Sequence, residues 1–172
     1  FKLIELNNKY KFIKKNTKLL DIGAYPGGWS QVSSKIITVG KILSLDIKKM
    51  DQLKNVSFLQ CNFLEENIKE KIFQFFGKNL DVILSDMAAD TTGNKSLDCI
   101  RTNQLCADVV EFSSKILKPN GVLVSKVFMG EDFLEVKELA KSKFKKVQFF
   151  KPKASRNESK ETYLHCSVLN TL

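Results

Sequence analysis

Two kinds of segment alternate along this chain. Short apolar runs at residues 18–22, 42–46, 57–60, 81–86, 121–127, 146–150 and 162–169 are separated mostly by longer stretches, at 1–10, 28–37, 65–76, 100–116 and 132–143, with apolar residues at helical spacing. Neighbouring parallel strands must be joined by a crossover of a dozen or more residues, usually a helix. The alternation therefore predicts an α/β fold: a doubly wound, seven-stranded, mostly parallel sheet with helices on both faces. Residues 151–161, between the last two runs, are polar and lack helical spacing. The last strand is accordingly expected to return antiparallel at the end of the sheet. A chain of 172 residues, 43% hydrophobic, can bury one sizeable core. No repeat or linker rich in Gly, Pro or Ser divides it, so one domain over 1–172 is expected. The chain opens on Phe1 rather than Met, from which a missing N-terminal segment is expected.

The net charge of +9 favours polyanionic partners, nucleic acid ahead of membrane. The excess is local: Lys141, Lys143, Lys145, Lys146, Lys151, Lys153, Arg156 and Lys160 face one acid, Glu158, in that stretch. This reads as a binding face, although a solvated lysine-rich surface would look the same in a count of charges. Cys61, Cys99, Cys106 and Cys166 form no C-x-x-C pair and no zinc-ligand spacing, which suits a reducing, cytoplasmic setting and leads us to expect no metal. The single histidine, His165, lies in an apolar run and is expected to pack rather than to catalyse. No apolar stretch approaches the roughly 20 residues of a membrane helix, so no membrane partner is expected.

In an open parallel sheet, ligands bind outside the carboxyl ends of the strands. Read to their ends, the first five runs deliver Asp21 and Gly23, Asp46, Asn62, Asp86 and Lys126 to one rim. The first loop, Asp21-Ile22-Gly23-Ala24-Tyr25-Pro26-Gly27-Gly28-Trp29, has glycines that allow close backbone approach to a ligand. Its G-x-x-x-G-G spacing is not the G-x-G-x-x-G of a dinucleotide site, which disfavours a nicotinamide oxidoreductase. Asp46 lies 18 residues after Gly28, where a carboxylate can bind both hydroxyls of an adenosine ribose. S-adenosylmethionine offers that ribose without a pyrophosphate; a merely capping Asp46 is the alternative. Lys126 interrupts the apolar run Val122-Leu123-Val124-Ser125-Lys126-Val127-Phe128, where an ammonium is costly to bury. Its stem could snorkel to the rim. Functionally, an amine beside the carboxylate of Asp86 is a candidate proton acceptor.

Three motifs in this order, residues 20–31 (LDIGAYPGGWSQ), 84–88 (LSDMA) and 124–131 (VSKVFMGE), resemble the FtsJ family of ribosomal RNA 2′-O-methyltransferases, and residues 151–163 extend the similarity over essentially the whole chain. The resemblance implies a Rossmann-like fold that binds S-adenosylmethionine. It also implies a catalytic Lys-Asp-Lys-Glu set falling on Lys2, Asp86, Lys126 and Glu161, and cofactor contacts at Gly27, Trp29, Asp46, Asn62 and Asp86. Asp21, Gly23 and Gly28 join the cofactor residues from the loop reading above. The implied substrate is a uridine in the A-loop of large-subunit ribosomal RNA, methylated by a monomer in the cytoplasm or in an organelle such as the mitochondrion. Two departures stand out. Asn62 replaces the family's usual Asp, which should alter cofactor affinity rather than abolish it, since an amide still donates and accepts. Ala88-Ala89-Asp90 replaces the usual Ala-Pro-Asn. The family's basic Ser-Arg-Ala segment before the first lysine is missing. Two other readings are an RNA-binding module on a degenerate methyltransferase fold, against which Asp86 and Lys126 argue, and a messenger-cap 2′-O-methyltransferase, for which no aromatic cap-stacking site is visible.

Overall fold

A computed structural model describes residues 1–170; the last two residues of the expected 1–172 domain lie outside the described residues. The chain runs α1 (Lys2–Tyr10), β1 (Lys18–Ile22), α2 (Gly28–Ile36), β2 (Lys41–Asp46), β3 (Ser57–Gln60), α3 (Glu66–Phe76), β4 (Leu80–Ser85), α4 (Lys95–Ile116), β5 (Leu117–Phe128), α5 (Phe133–Lys143), β6 (Phe144–Phe150) and β7 (Glu161–Leu169). The seven strands form one sheet in the order β3-β2-β1-β4-β5-β7-β6. Pairings from β3 across to β5 are parallel, while β7 is antiparallel to both β5 and β6. The chain winds outward from β1 to β3, then returns to lay β4 against the other side of β1. Beyond the carboxyl ends of β1 and β4 the crossovers diverge to opposite sides, opening the crevice such sheets use for ligands.

Strand alternation sorts the side chains between two cores. Leu20, Ile22, Leu43, Leu45, Ile83, Leu123 and Val127 pack with α3, α4 and α5 residues such as Ile72, Val110 and Ala140. Leu19, Ile42, Val82, Leu84, Val124 and Tyr163 pack instead with Leu3 and Leu6 of α1 and with the partly buried Val32 and Ile36 of α2. Helices thus cover both faces, as expected. The period of two also fixes what lies at the rim: Asp86 follows Leu84, Lys126 follows Val124, and Glu161 precedes Tyr163, each two residues from a side chain in the core beneath α1 and α2.

Two boundaries differ from the sequence reading by more than two residues. Helix α4 begins at Lys95, five residues before the expected start at 100. Asn94 caps it by accepting from the Leu97 N–H at 3.1 Å, and Asp98 accepts from the Thr92 N–H and hydroxyl. The Asn94 bond satisfies an orphan donor of the first turn and the Asp98 bonds tie the preceding loop to it, without any apolar periodicity to announce them. Strand β5 begins at Leu117 rather than 121, because Leu117 pairs with Leu80 before the register shifts to Val82 and Val122. Exposed Pro119 and Asn120 occupy the irregular stretch, where a proline's missing donor is tolerated.

His165 packs, as its apolar setting suggested. Its ring is stacked on Tyr10 at a centroid distance of 3.8 Å, and burial pushes its pKa down from 6.5 to about 4. A depressed imidazole contributes stability that is complete above pH 6.5 and lost as pH falls toward 4. The expected outcome is that the unfolding free energy of the wild type, minus that of His165→Phe, falls by about 2 kcal/mol between pH 7.5 and pH 5 in urea titrations.

Candidate active site

The loop after β1 turns back over the sheet through Gly23, whose φ of 71° lies in the left-handed region. A β-carbon there would come within 2.6 Å of Met87 Cγ, so the first loop and the segment after β4 pack directly against each other. Gly27, at φ 118°, then lets the chain enter α2 immediately after the loop. This close approach leaves one open cavity of about 620 Å³ beyond the ends of β1 to β4. Gly23, Asp46, Asn62 and Asp86 all stand in its wall, with Leu45, Phe63 and Met87 as apolar surface. Arg101 and Leu105 of α4 close one side.

Asp46 is held by two backbone donors: the Tyr25 N–H reaches Oδ2 and the Lys48 N–H reaches Oδ1, each at 2.8 Å. A carboxylate carries about four lone-pair sites, so each oxygen can still accept from a ligand hydroxyl. Asn62 uses its carbonyl to accept from the Leu64 N–H at 3.0 Å, which leaves its amide donor for the cavity. A fixed carboxylate, an amide donor and apolar walls are the donor set and surface that an adenosine requires.

Beside the cavity, Asp86 joins a cluster of charged groups. Lys126 Nζ lies 3.3 Å from Asp86 Oδ1 and 3.3 Å from Glu161 Oε2, and Lys2 Nζ lies 2.6 Å from Glu161 Oε1. The structure therefore brings together all four residues of the Lys-Asp-Lys-Glu set from α1, the end of β4, β5 and β7. Burial favours a protonated Glu161, but the Lys2 hydrogen bond and the Lys126 and Lys2 charges outweigh it, so its carboxyl titrates below the ordinary range. Two ammoniums and two carboxylates make the cluster formally neutral within a strongly basic protein.

Tyr163 was given no role in the sequence reading. Its fully buried hydroxyl donates to Asp86 Oδ1 at 2.6 Å and lies 3.3 Å from Glu161 Oε1. Burial, reinforced by both carboxylates, pushes the phenol far above its ordinary range, so it serves as a fixed donor. Trp29 packs against its ring at 5.5 Å. The signal was present: Glu161 and Tyr163 are two apart on a strand and so share a face.

Several expected cofactor residues stand elsewhere. Asp21 is fully buried and points, like Leu19, toward the face that α2 covers. Its Oδ2 accepts from Ser30 Oγ at 2.6 Å, and its Oδ1 has no hydrogen-bond partner among the described residues. Gly27, Gly28 and Trp29 shape the entry to α2 and lie outside the cavity wall. Parts of the basic stretch also have internal partners. Lys151 Nζ donates to the carbonyls of Ser159 and Glu161 at 2.7 Å, and Lys143 lies 3.5 Å from Glu111. Lys151 thus holds the loop that delivers Glu161.

A family model for FtsJ-like methyltransferases matches residues 1–168. The chain belongs to the FtsJ-like methyltransferase family. It is 41% identical over 169 residues to ribosomal RNA large subunit methyltransferase E of Pelagibacter ubique, covering 98% of this chain and 83% of that protein. The protein of the same name from Rickettsia akari is 44% identical over 170 residues, covering 95% of this chain and 75% of the relative. A solved Plasmodium falciparum structure, described as a putative ribosomal RNA methyltransferase, superposes with a TM-score of 0.85 at 34% identity, covering 98% of this chain and 94% of that one. Human methyltransferase-like protein 13, in complex with S-adenosylhomocysteine, shares the fold with a TM-score of 0.67 at 16% identity, over 96% of this chain and 78% of that one. The chain is therefore a methyltransferase that uses S-adenosylmethionine, and the cavity beside Asp86 fits the adenosine part of that cofactor.

Desolvation raises the Asp21 carboxyl from 3.8 to about 7, outweighing the Ser30 hydrogen bond. A raised carboxyl costs the fold stability as pH climbs through that window. Asp21→Asn is therefore expected to gain on the order of 3 kcal/mol over the wild type between pH 4 and pH 8, measured as the difference of their urea unfolding free energies.

Proposed function

We propose that this enzyme methylates a ribose 2′-hydroxyl of large-subunit ribosomal RNA, with a uridine of the A-loop as the target and the cytoplasm as its setting. The observation that carries the reading is the ion-paired cluster Lys2–Glu161–Lys126–Asp86 on the lip of a cavity fitted to adenosine. The names of the relatives, ribosomal RNA large subunit methyltransferases, support the choice of RNA. So does the excess of positive charge, which attracts phosphates without reading sequence.

Asp46 and Asn62 would hold the adenosine of the cofactor, and Asp86 stands where that cavity meets the catalytic cluster. When bound, S-adenosylmethionine supplies an electrophilic methyl group on a positively charged sulfur. Lys126, in its neutral form, accepts the proton of the 2′-hydroxyl as that oxygen takes the methyl group. Asp86 and Glu161 fix the amine from two sides, and the Tyr163 hydroxyl fixes Asp86. Lys2 holds Glu161 and lies partly exposed at the mouth, where it can also meet the incoming ribose. Most of the rate enhancement then comes from orienting the hydroxyl, for which fixed side chains are well suited.

Lys126→Ala is expected to lower methyl transfer to unmethylated large ribosomal subunits by about 100-fold or more, the scale of a lost general base. Cofactor affinity by calorimetry should stay within about threefold, a difference of less than 1 kcal/mol. Lys126→Arg should be equally inactive, because a guanidinium keeps the charge but does not give up its proton. Undiminished transfer by either variant would remove Lys126 from the role of base.

A further inference from the structure

A second cavity, of about 540 Å³, lies at the same rim on the side of β5 and β7. It falls within the range of about 300–1,000 Å³ that small-molecule pockets occupy. Its wall includes Phe128 and Gly130 at the end of β5 and Cys99 on the first turns of α4. Lys95 and Lys160 bring positive charge to it, and Glu131 and Glu158 bring hydrogen-bond acceptors. None of these residues has a part in the chemistry described above.

Its position relative to the reacting groups is fixed by the sheet. Phe128 follows Lys126 by two residues on one strand, about 7 Å farther along it. Phe128 is also the register partner of Glu161, and Lys160 directly precedes Glu161. The catalytic cluster therefore has a cavity on each flank. The first, with Asp86 in its wall, takes the cofactor; the second begins one pleat beyond the proposed base. A nucleotide whose 2′-hydroxyl sits at Lys126 must place its base a few ångströms away, on the side that the cofactor does not fill.

We propose that this second cavity receives the base of the methyl-accepting nucleotide. The inference rests on the RNA 2′-O-methyltransferase reading and adds the subsite to it. A nucleobase is a flat, apolar ring with a polar edge. The Phe128, Cys99 and Gly130 portion of the wall suits its faces, and either glutamate can accept from the ring N–H of a uracil. Lys95 and Lys160 meet the flanking phosphates. RNA readers commonly hold unstacked bases of single-stranded segments in such pockets.

Cys99 supplies a reporter inside the wall. Cys106 and Cys166 are buried, whereas Cys61, in the wall of the cofactor cavity, gives an internal comparison. The test follows alkylation of each cysteine in the wild-type enzyme by peptide mass spectrometry. Saturating unmethylated large ribosomal subunits are expected to slow alkylation of Cys99 by about tenfold, as burial of one base contact would. S-adenosylhomocysteine alone should leave Cys99 unchanged. A second variant, Gly130→Phe, fills the cavity, since a β-carbon at Gly130 meets only Cys99, at an ordinary 3.5 Å. It should raise KM for subunits about tenfold or more with cofactor affinity intact. Unaltered Cys99 alkylation in the presence of bound subunits, or an unchanged KM in a folded Gly130→Phe, overturns the subsite while wild-type transfer to RNA continues. Absence of wild-type transfer to any RNA overturns the parent reading, and the subsite with it.

Discussion

Glu161 is a carboxylate buried to 9% exposure at the start of the last strand, and burying such a charge is tolerable only if cations and donors surround it. Here Lys2 and Lys126 supply the cations and Ser155, at 3.5 Å, a hydroxyl donor. That requirement joins the first helix of the chain to its last strand across 159 positions of sequence. It also holds the amine of Lys126 between two carboxylates at the mouth of the cofactor cavity. Removing either lysine would leave an uncompensated negative charge at the same point, so the arrangement is maintained as a unit.

The antiparallel insertion of β7 between β5 and β6 makes this possible. Its pairing with β5 sets Tyr163 opposite Lys126 and Glu161 opposite Phe128. A parallel strand in that place would present its carboxyl end at the rim; the reversed strand begins there instead, carrying Glu161 directly from the preceding loop. The loop is tied down by Lys151, and its backbone N–H groups at Lys153 and Ala154 donate to Glu5 of α1. Charges that would otherwise be counted as an RNA-binding surface thus have structural duties, and the basic face is narrower than the composition suggests.

The neutral cluster reconciles two charged ligands at one point. The cofactor brings a positive sulfur, and the proposed RNA substrate brings phosphates. With Lys126 protonated the two carboxylates and two ammoniums repel neither strongly, and with Lys126 neutral the cluster turns one negative charge toward that sulfur. The surrounding lysines supply long-range attraction for the proposed RNA. Tyr163 preserves that balance, because burial keeps its phenol protonated and therefore a donor.

The sequence by itself determined the strands, their alternation and hence which residues share a face, because a period of two leaves no freedom once an apolar run is recognised. That was enough to place Asp46, Asn62, Asp86 and Lys126 at one rim, and the motif resemblance added Lys2 and Glu161. It did not reveal that Asp21, read onto the same rim, points into the face covered by α2, or that Tyr163 donates to Asp86. The early start of α4 was also hidden, since side-chain caps carry no periodic signal. Which face each helix covers, and which strand lies beside β5, were decided only by the tertiary packing. Those choices depend on burying two apolar surfaces at once and on pairing every buried charge, and both conditions act between residues far apart in the chain.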